Sequence, residues 1–233
     1  LIMCGRRVDE LRQVVESVQA LNPSIIYFHL HSAASDEEQT KVEAVLDYIE
    51  SYQGENVLKY VNENLGIDKS MASALNWVAE KEPIFYVFED DVPLKQGAEL
   101  EKKKKMQELQ ESGFGVLKFG LAKSYTSFWG WAVTASVVKM LPSFDFQKVE
   151  LETALPFLDS KSPKTHLEGV QYLYADSKPM AFDDEYDFIL KYLAIPVIYT
   201  ETECTMHIGH KSTRVESVES KNYVTFINGV IQK

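Results

Sequence analysis

Cysteine occurs only twice in 233 residues, as Cys4 and Cys204 near opposite ends of the chain. That scarcity excludes the disulfide framework of a small secreted domain, allows one bridge at most, and points to a reducing, cytoplasmic setting. Positive charge is also short: 24 Lys and Arg stand against 35 Asp and Glu, a formal charge of −11. A chain of that sign is not built to neutralise a polynucleotide backbone or to cling to an anionic bilayer, so nucleic acid polymers are not expected as partners. No stretch approaches the roughly 20 apolar residues that a membrane span needs. Residues 1–7 are too short for a signal peptide, and no internal repeat or low-complexity tract occurs. The chain opens instead on a strand-like apolar stub, as one module of a longer protein would.

What is present is a 45% apolar composition, enough to bury a substantial core in a chain at the upper end of single-domain length. Apolar runs alternate with amphipathic stretches through the first half, the pattern of β-α units feeding a largely parallel sheet, so the fold class is α/β. Strands are expected at Leu1–Cys4, Ser24–His31, Asn56–Asn62 and Ile84–Phe88. The spacing of Leu11, Val14, Val15 and Val18 predicts a helix over Val8–Leu21, and Val42, Val45, Leu46 and Ile49 predict another over Asp36–Gln53. Ser70–Glu80 is a third helix. The run Ile84-Phe85-Tyr86-Val87-Phe88 is the most apolar of the chain and is expected to be a central strand. Lys95–Ser112 is a charged helix whose lysines, Lys102 to Lys105, read as a solvated face. A strand at Val116–Gly120, a helix near Ser136–Leu141, a helix over Tyr186–Leu193 and a strand at Ile195–Tyr199 complete the pattern.

Directly after the most apolar strand stand three acids, Glu89-Asp90-Asp91. In open α/β sheets ligands gather at the carboxyl ends of strands. Strand alternation would put Glu89 and Asp91 on one side and Asp90 on the other. Crowded carboxylates repel unless something positive joins them, and a hard divalent cation shared with a diphosphate is an economical solution. The bland alternative is an acidic turn capping the following helix.

The segment Tyr86-Val-Phe-Glu-Asp-Asp-Val-Pro-Leu94 resembles the metal-binding DxD element of GT-A glycosyltransferases, in the Glu-Asp-Asp form of the N-acetylglucosaminyltransferase I family. Four further segments follow that family's order. Asn62-Glu-Asn-Leu-Gly66, with Asn64 at its middle, resembles its nucleotide-side segment, and Phe128-Trp-Gly-Trp131 its aromatic-glycine segment on the acceptor side. Phe182-Asp-Asp-Glu-Tyr186 resembles its Trp-Asp-Asp-Trp element, and Thr205-Met-His-Ile-Gly-His-Lys-Ser212 its late loop. The resemblance implies a single GT-A domain, with a nucleotide-sugar-binding half over about residues 1–122 and an acceptor half over 123–233. It implies an inverting hexosyltransferase that takes a UDP-sugar, or a GDP-sugar, to a carbohydrate or glycoconjugate acceptor. By the same token Asp91 would contact Mn2+ or Mg2+, Glu89 and Asp90 the sugar and ribose, and Asp184 would be the base, with Asp183 seating the acceptor or capping the helix that begins near Glu185; an Asp-Asp helix N-cap is the alternative for the pair.

Other candidates come from position. Gly5-Arg6-Arg7 follows the first strand, and His31 and Ser32 follow the second, where βα loops meet nucleotide and diphosphate; an exposed basic pair is the alternative for the arginines. Trp129 and Trp131 could stack on an acceptor sugar or belong to the core, and Gly130 between them suggests a close backbone approach. His207 and His210, three apart, could close on a metal in a helix or tight turn, with Lys211 beside them, although the family shows no obligatory histidine there. Two rivals accompany the glycosyltransferase: a sugar-1-phosphate nucleotidyltransferase, which would want a glycine-rich basic loop after the first strand, and a non-catalytic carbohydrate-binding domain on the same fold. A histidine-carboxylate metal hydrolase ranks below both, for want of a third ligand.

Overall fold

The computed structural model describes residues 1–63, 66–119, 130–141, 150–154, 189–206 and 208. The expected elements form nearly where the hydrophobic periodicity puts them. Strand β1 (Ile2–Met3) leads into helix α1 (Val8–Val18), which buries Leu11, Val14, Val15 and Val18 and closes through a 3-10 turn, Gln19–Leu21, with Asn22 in the left-handed region at φ 55°. Strand β2 (Ile26–His31) and helix α2 (Asp36–Ser51) follow. The Ser35 hydroxyl accepts the Glu38 N–H at 3.4 Å and the Glu38 carboxylate accepts the Ala34 N–H at 2.9 Å, so two amide donors at the start of α2 find partners. Then come β3 (Asn56–Val61), α3 (Gly66–Ala79), β4 (Ile84–Glu89), α4 (Glu99–Ser112) and β5 (Val116–Lys118). Beyond these lie β6 (Trp131–Thr134), α5 (Ala135–Met140), α6 (Leu151–Ala154) and β7 (Val197–Tyr199).

The seven strands among the described residues join one sheet in the order β3-β2-β1-β4-β6-β5-β7. Every pairing is parallel except the two that β6 makes, antiparallel to β4 and to β5. The most apolar run therefore does become the central strand, with three neighbours on either side. Helices cover both faces, as a buried parallel sheet requires. Alternation along β4 sends Phe85 and Val87 to the face held by α3 and α5, where they meet Leu75, Val78, Val133 and Val137. Phe88 goes to the other face with Leu11, Val14, Phe28 and Leu109, from β2 and helices α1 and α4. Each fully buried Leu, Val or Phe contributes about 1.5–3 kcal/mol of transfer free energy, so this two-sided packing is what holds the strand ends in place. The fold is that of an α/β, GT-A-type domain. Among the described residues no helix is long and apolar enough to cross a membrane, and both cysteines are buried and free.

One expectation fails on α4. Lys103 and Lys104 do face solvent, but Lys102 is fully buried. With Met106 and Leu109 it occupies the i, i+4, i+7 stripe that faces the sheet. Its Nζ lies 3.6 Å from the ring centre of Phe119 and 5.0 Å from that of Phe88, and among the described residues no hydrogen-bond partner reaches it. Burial pushes its pKa well below the usual lysine value, against the pull of Cys204 and Glu101.

Candidate functional site

The strand order creates a place where the chain parts. β1 pairs with β2 on one side and β4 on the other, Met3 lying opposite both His29 and Glu89. The connection after β1 runs one way along the sheet, and the later return to β4 lands on β1's other edge. The loops after β1 and β4 therefore diverge around a crevice, the topological switch point at which open α/β sheets take ligands. The β1 loop is Cys4–Arg7 and the β4 loop begins at Glu89-Asp90-Asp91.

At this crevice the arginines and the acids meet. The guanidinium of Arg7 spans both aspartates, one terminal nitrogen on Asp90 Oδ1 at 2.5 Å and the other on Asp91 Oδ2. The other Asp90 oxygen accepts the Gly5 N–H at 2.8 Å. Asp90 and Asp91 are each 2% exposed. Burial pushes the Asp90 carboxyl above the ordinary carboxylate range, with Arg7 and the Gly5 N–H pulling the other way. Burial would lower Arg7, but Asp90, Asp91 and Glu89 outweigh it and hold it above the usual arginine value. Gly5 is needed for proximity: a Cβ there would lie 2.6 Å from Asp90 Oδ2.

Arg6 points along the edge toward β2. It donates to the Ser32 carbonyl at 2.8 Å, approaches His31 Nδ1 at 3.3 Å and pairs with Glu38 at 3.4 Å. His31 is partly buried, and burial first, then Arg6, lowers its pKa despite the Ser32 carbonyl that supports the charged form. The residues proposed after the first, second and fourth strands thus share one rim: Gly5, Arg6, Arg7, His31, Ser32, Glu89, Asp90 and Asp91.

The late segment reaches the same rim. Leu94 and Thr205 form an antiparallel bridge, Lys95 N–H donates to the Cys204 carbonyl at 2.8 Å, Met206 N–H to Pro93 at 3.2 Å and Ile208 N–H to the Asp91 carbonyl at 2.9 Å. His207 and His210 lie outside the described residues, as do Asn64, Trp129, Asp183 and Asp184. Trp131 corrects an expectation: at 1% exposure it belongs to the core against α3 and α5, because it opens β6 with its side chain inward. It offers no face to an acceptor. Gly130 does mark a close approach, at φ 78°, but toward the chain's own Thr205 and Phe119, each 3.0 Å or less from the position of a Cβ.

Sequence reasoning placed the acids and arginines separately and did not pair them. Charge bookkeeping between the two loops, each flanking a neighbouring strand of a 3-2-1-4 order, is the signal that could have done so. It also passed over His29, a fully buried imidazole on β2 whose Nδ1 lies 3.3 Å from the Ser70 hydroxyl and whose Nε2 has no hydrogen-bond partner among the described residues. Burial, with Lys59 and His31 adding to it, lowers its pKa to about 4.

Whether this rim suits the divalent cation implied by the resemblance turns on donor atoms. Asp90 gives both oxygens to protein donors and Asp91 gives one to Arg7. Among the described residues no group of three or more His, Cys, Asp or Glu side chains is placed to hold a metal ion. The acids fit a cation, and the one they hold is the guanidinium of Arg7; a metal ion here would draw its oxygen donors from Asp91. A cavity of about 580 Å³, lined by Gln19, Tyr48, Tyr52, Gln53 and Glu55, opens at the opposite, amino-terminal edge of β2 and β3 and has no part in this chemistry.

No protein family and no curated protein matches the chain in sequence. Solved structures match its shape. A Bacillus anthracis protein described as a glucose-1-phosphate thymidylyltransferase, solved with sucrose, aligns over 100% of this chain and 96% of its own at a TM-score of 0.50 and 11% identity. The 4-diphosphocytidyl-2C-methyl-D-erythritol synthase of Anaerococcus prevotii aligns over 98% and 97%, with the same TM-score and identity. At such identities the likeness is one of fold.

Proposed function

We propose that the chain is a transferase that moves a sugar from a nucleotide-diphosphate donor, UDP-sugar first, to an acceptor hydroxyl. One juxtaposition supports this: three acids at the end of the central strand meet a basic βα loop at the crevice where the strand order reverses. Arginine's planar fork suits diphosphate oxygens, so Arg6 and Arg7 would receive the donor's phosphates. His31 and Ser32, on the same rim, would adjoin the base or ribose. Asp90, with both oxygens bonded to Gly5 and Arg7, shapes the loop, and Glu89 at the strand's end would face the sugar. Mn2+ or Mg2+ at Asp91 would offset the charge that develops on the leaving diphosphate. Asp184, taken from the resemblance, would accept the proton of the attacking hydroxyl, and Asp183 would seat the acceptor. The product would carry an inverted linkage.

A second reading, nucleotidyl transfer to a sugar phosphate, is favoured by the basic character of the loop after β1. It ranks lower because that loop is four residues long and holds one glycine. Calorimetry against UDP-, GDP-, CMP- and dTDP-sugars and the matching nucleoside triphosphates, with and without Mn2+, on the wild type and Asp91→Asn, separates the two. Donor-sugar binding that needs metal and is lost in the variant supports glycosyl transfer. Binding of a nucleoside triphosphate, but no nucleotide sugar, would move the conclusion to the rival, and silence toward all of them would sink both.

A further inference from the structure

The cation seated on Asp90 and Asp91 is supplied by the chain itself. Arg7 reaches both acids from a loop 83 and 84 residues away in sequence, and its side chain is 19% exposed, so its grip borders the open crevice. The grip is incomplete. Arg7 Nε is buried and finds no hydrogen-bond partner among the described residues, whereas both terminal nitrogens are engaged. An unmet buried donor is costly, so exchanging partners loses less than breaking a fully satisfied fork would. A divalent ion approaching Asp91 must either displace the guanidinium or share a carboxylate with it, and two cations so close repel.

We propose that Arg7 is a built-in counter-cation: it holds Asp90 and Asp91 together in the ligand-free protein, keeps a divalent cation from binding there alone, and passes to the donor's diphosphate when cation and donor enter together. This rests on the transferase reading for the identity of the incoming anion, but the pairing and its effect on metal affinity do not. Metal and donor then bind cooperatively, each supplying the partner that Arg7 gives up or gains. An acid pair that would attract any divalent ion stays neutralised until the donor arrives.

The test titrates Mn2+ alone, without nucleotide, against the wild type, Arg7→Met and Arg7→Lys, following free Mn2+ by electron paramagnetic resonance. Arg7→Met is expected to bind Mn2+ at least about ten-fold more tightly than the wild type, and adding Asp91→Asn is expected to abolish the gain. Arg7→Lys, whose ammonium cannot span both acids as a fork does, should fall between. The proposal is overturned if the wild type alone binds Mn2+ as tightly as Arg7→Met, or if neither variant binds better than the wild type. Should Arg7→Met fold poorly with its acids unpaired, Mn2+ should raise its melting temperature while leaving that of the wild type unchanged; no such contrast in either variant also overturns it. Calorimetry with nucleotide sugars reports separately on the transferase reading, so a protein that shows the metal contrast but binds no donor keeps the counter-cation and loses the donor.

Discussion

Two buried charges near the end of the same strand meet opposite fates. Asp90 is 2% exposed and keeps company with a guanidinium and a backbone N–H. Lys102, fully buried a short way behind Phe88, meets only the faces of two phenyl rings. Burial works against the charged form in both. At the crevice a partner of opposite sign and a directed hydrogen bond answer it; on α4 cation–π attraction alone does not, and the amine is driven toward its neutral form. The charged form is thus supported where a ligand could use it and opposed where only packing is at stake.

Breaking the paired side should produce the largest effect. Arg7→Ala leaves two buried carboxylates without their cation and is expected to cost about 3–5 kcal/mol of unfolding free energy, read from the midpoint of a urea transition. Adding Asp90→Asn should recover part of that loss, since the two side chains share one interaction. A third buried ionisable group sharpens the contrast. His29 is neutral in the fold down to a pKa of about 4, while in the unfolded chain it takes a proton near 6.5. The stability this gives is whole above pH 6.5 and is lost as the pH falls toward 4, by about 3 kcal/mol. His29→Gln, which cannot titrate, should flatten that slope in unfolding curves across the window. On the unpaired side the sign reverses. Lys102→Met keeps the length and removes the amine, and is expected to stabilise the fold by about 2 kcal/mol near neutral pH. Because the native lysine value lies below the unfolded one, the wild type gains stability as the pH rises toward 10.5, and the variant should lack that gain.

Much of the architecture was legible. Leu11, Val14, Val15 and Val18 recur at helical spacing and are the residues α1 buries; the unbroken run from Ile84 to Phe88 is the central strand. Local periodicity determines such elements because burial on one stripe or on two faces leaves a pattern in the chain. Lys102 escaped because its neighbours in sequence, three more lysines, hide its place in the stripe with Met106 and Leu109. Trp131 was legible only as aromatic, for nothing local tells a platform from a core side chain. The rim residues were found one loop at a time, from position after each strand. Their pairing was not, because it depends on strand order, which is a property of contacts remote in sequence. The suggested base stands on the resemblance and the late histidines on their spacing, and all of them lie outside the described residues.

The bridge between Leu94 and Thr205 bears on how the rim comes into being. The strip carrying the acids is fastened on one side to Gly5, 85 residues away, and on the other to the segment around Glu203, whose carboxylate meets Lys95 across 108 residues. Closing loops that long is slow, and its entropic toll falls before the contacts reward it. The contact with the late segment is accordingly expected to close after β1 to β4 have paired, the acidic loop until then being tethered at one end only.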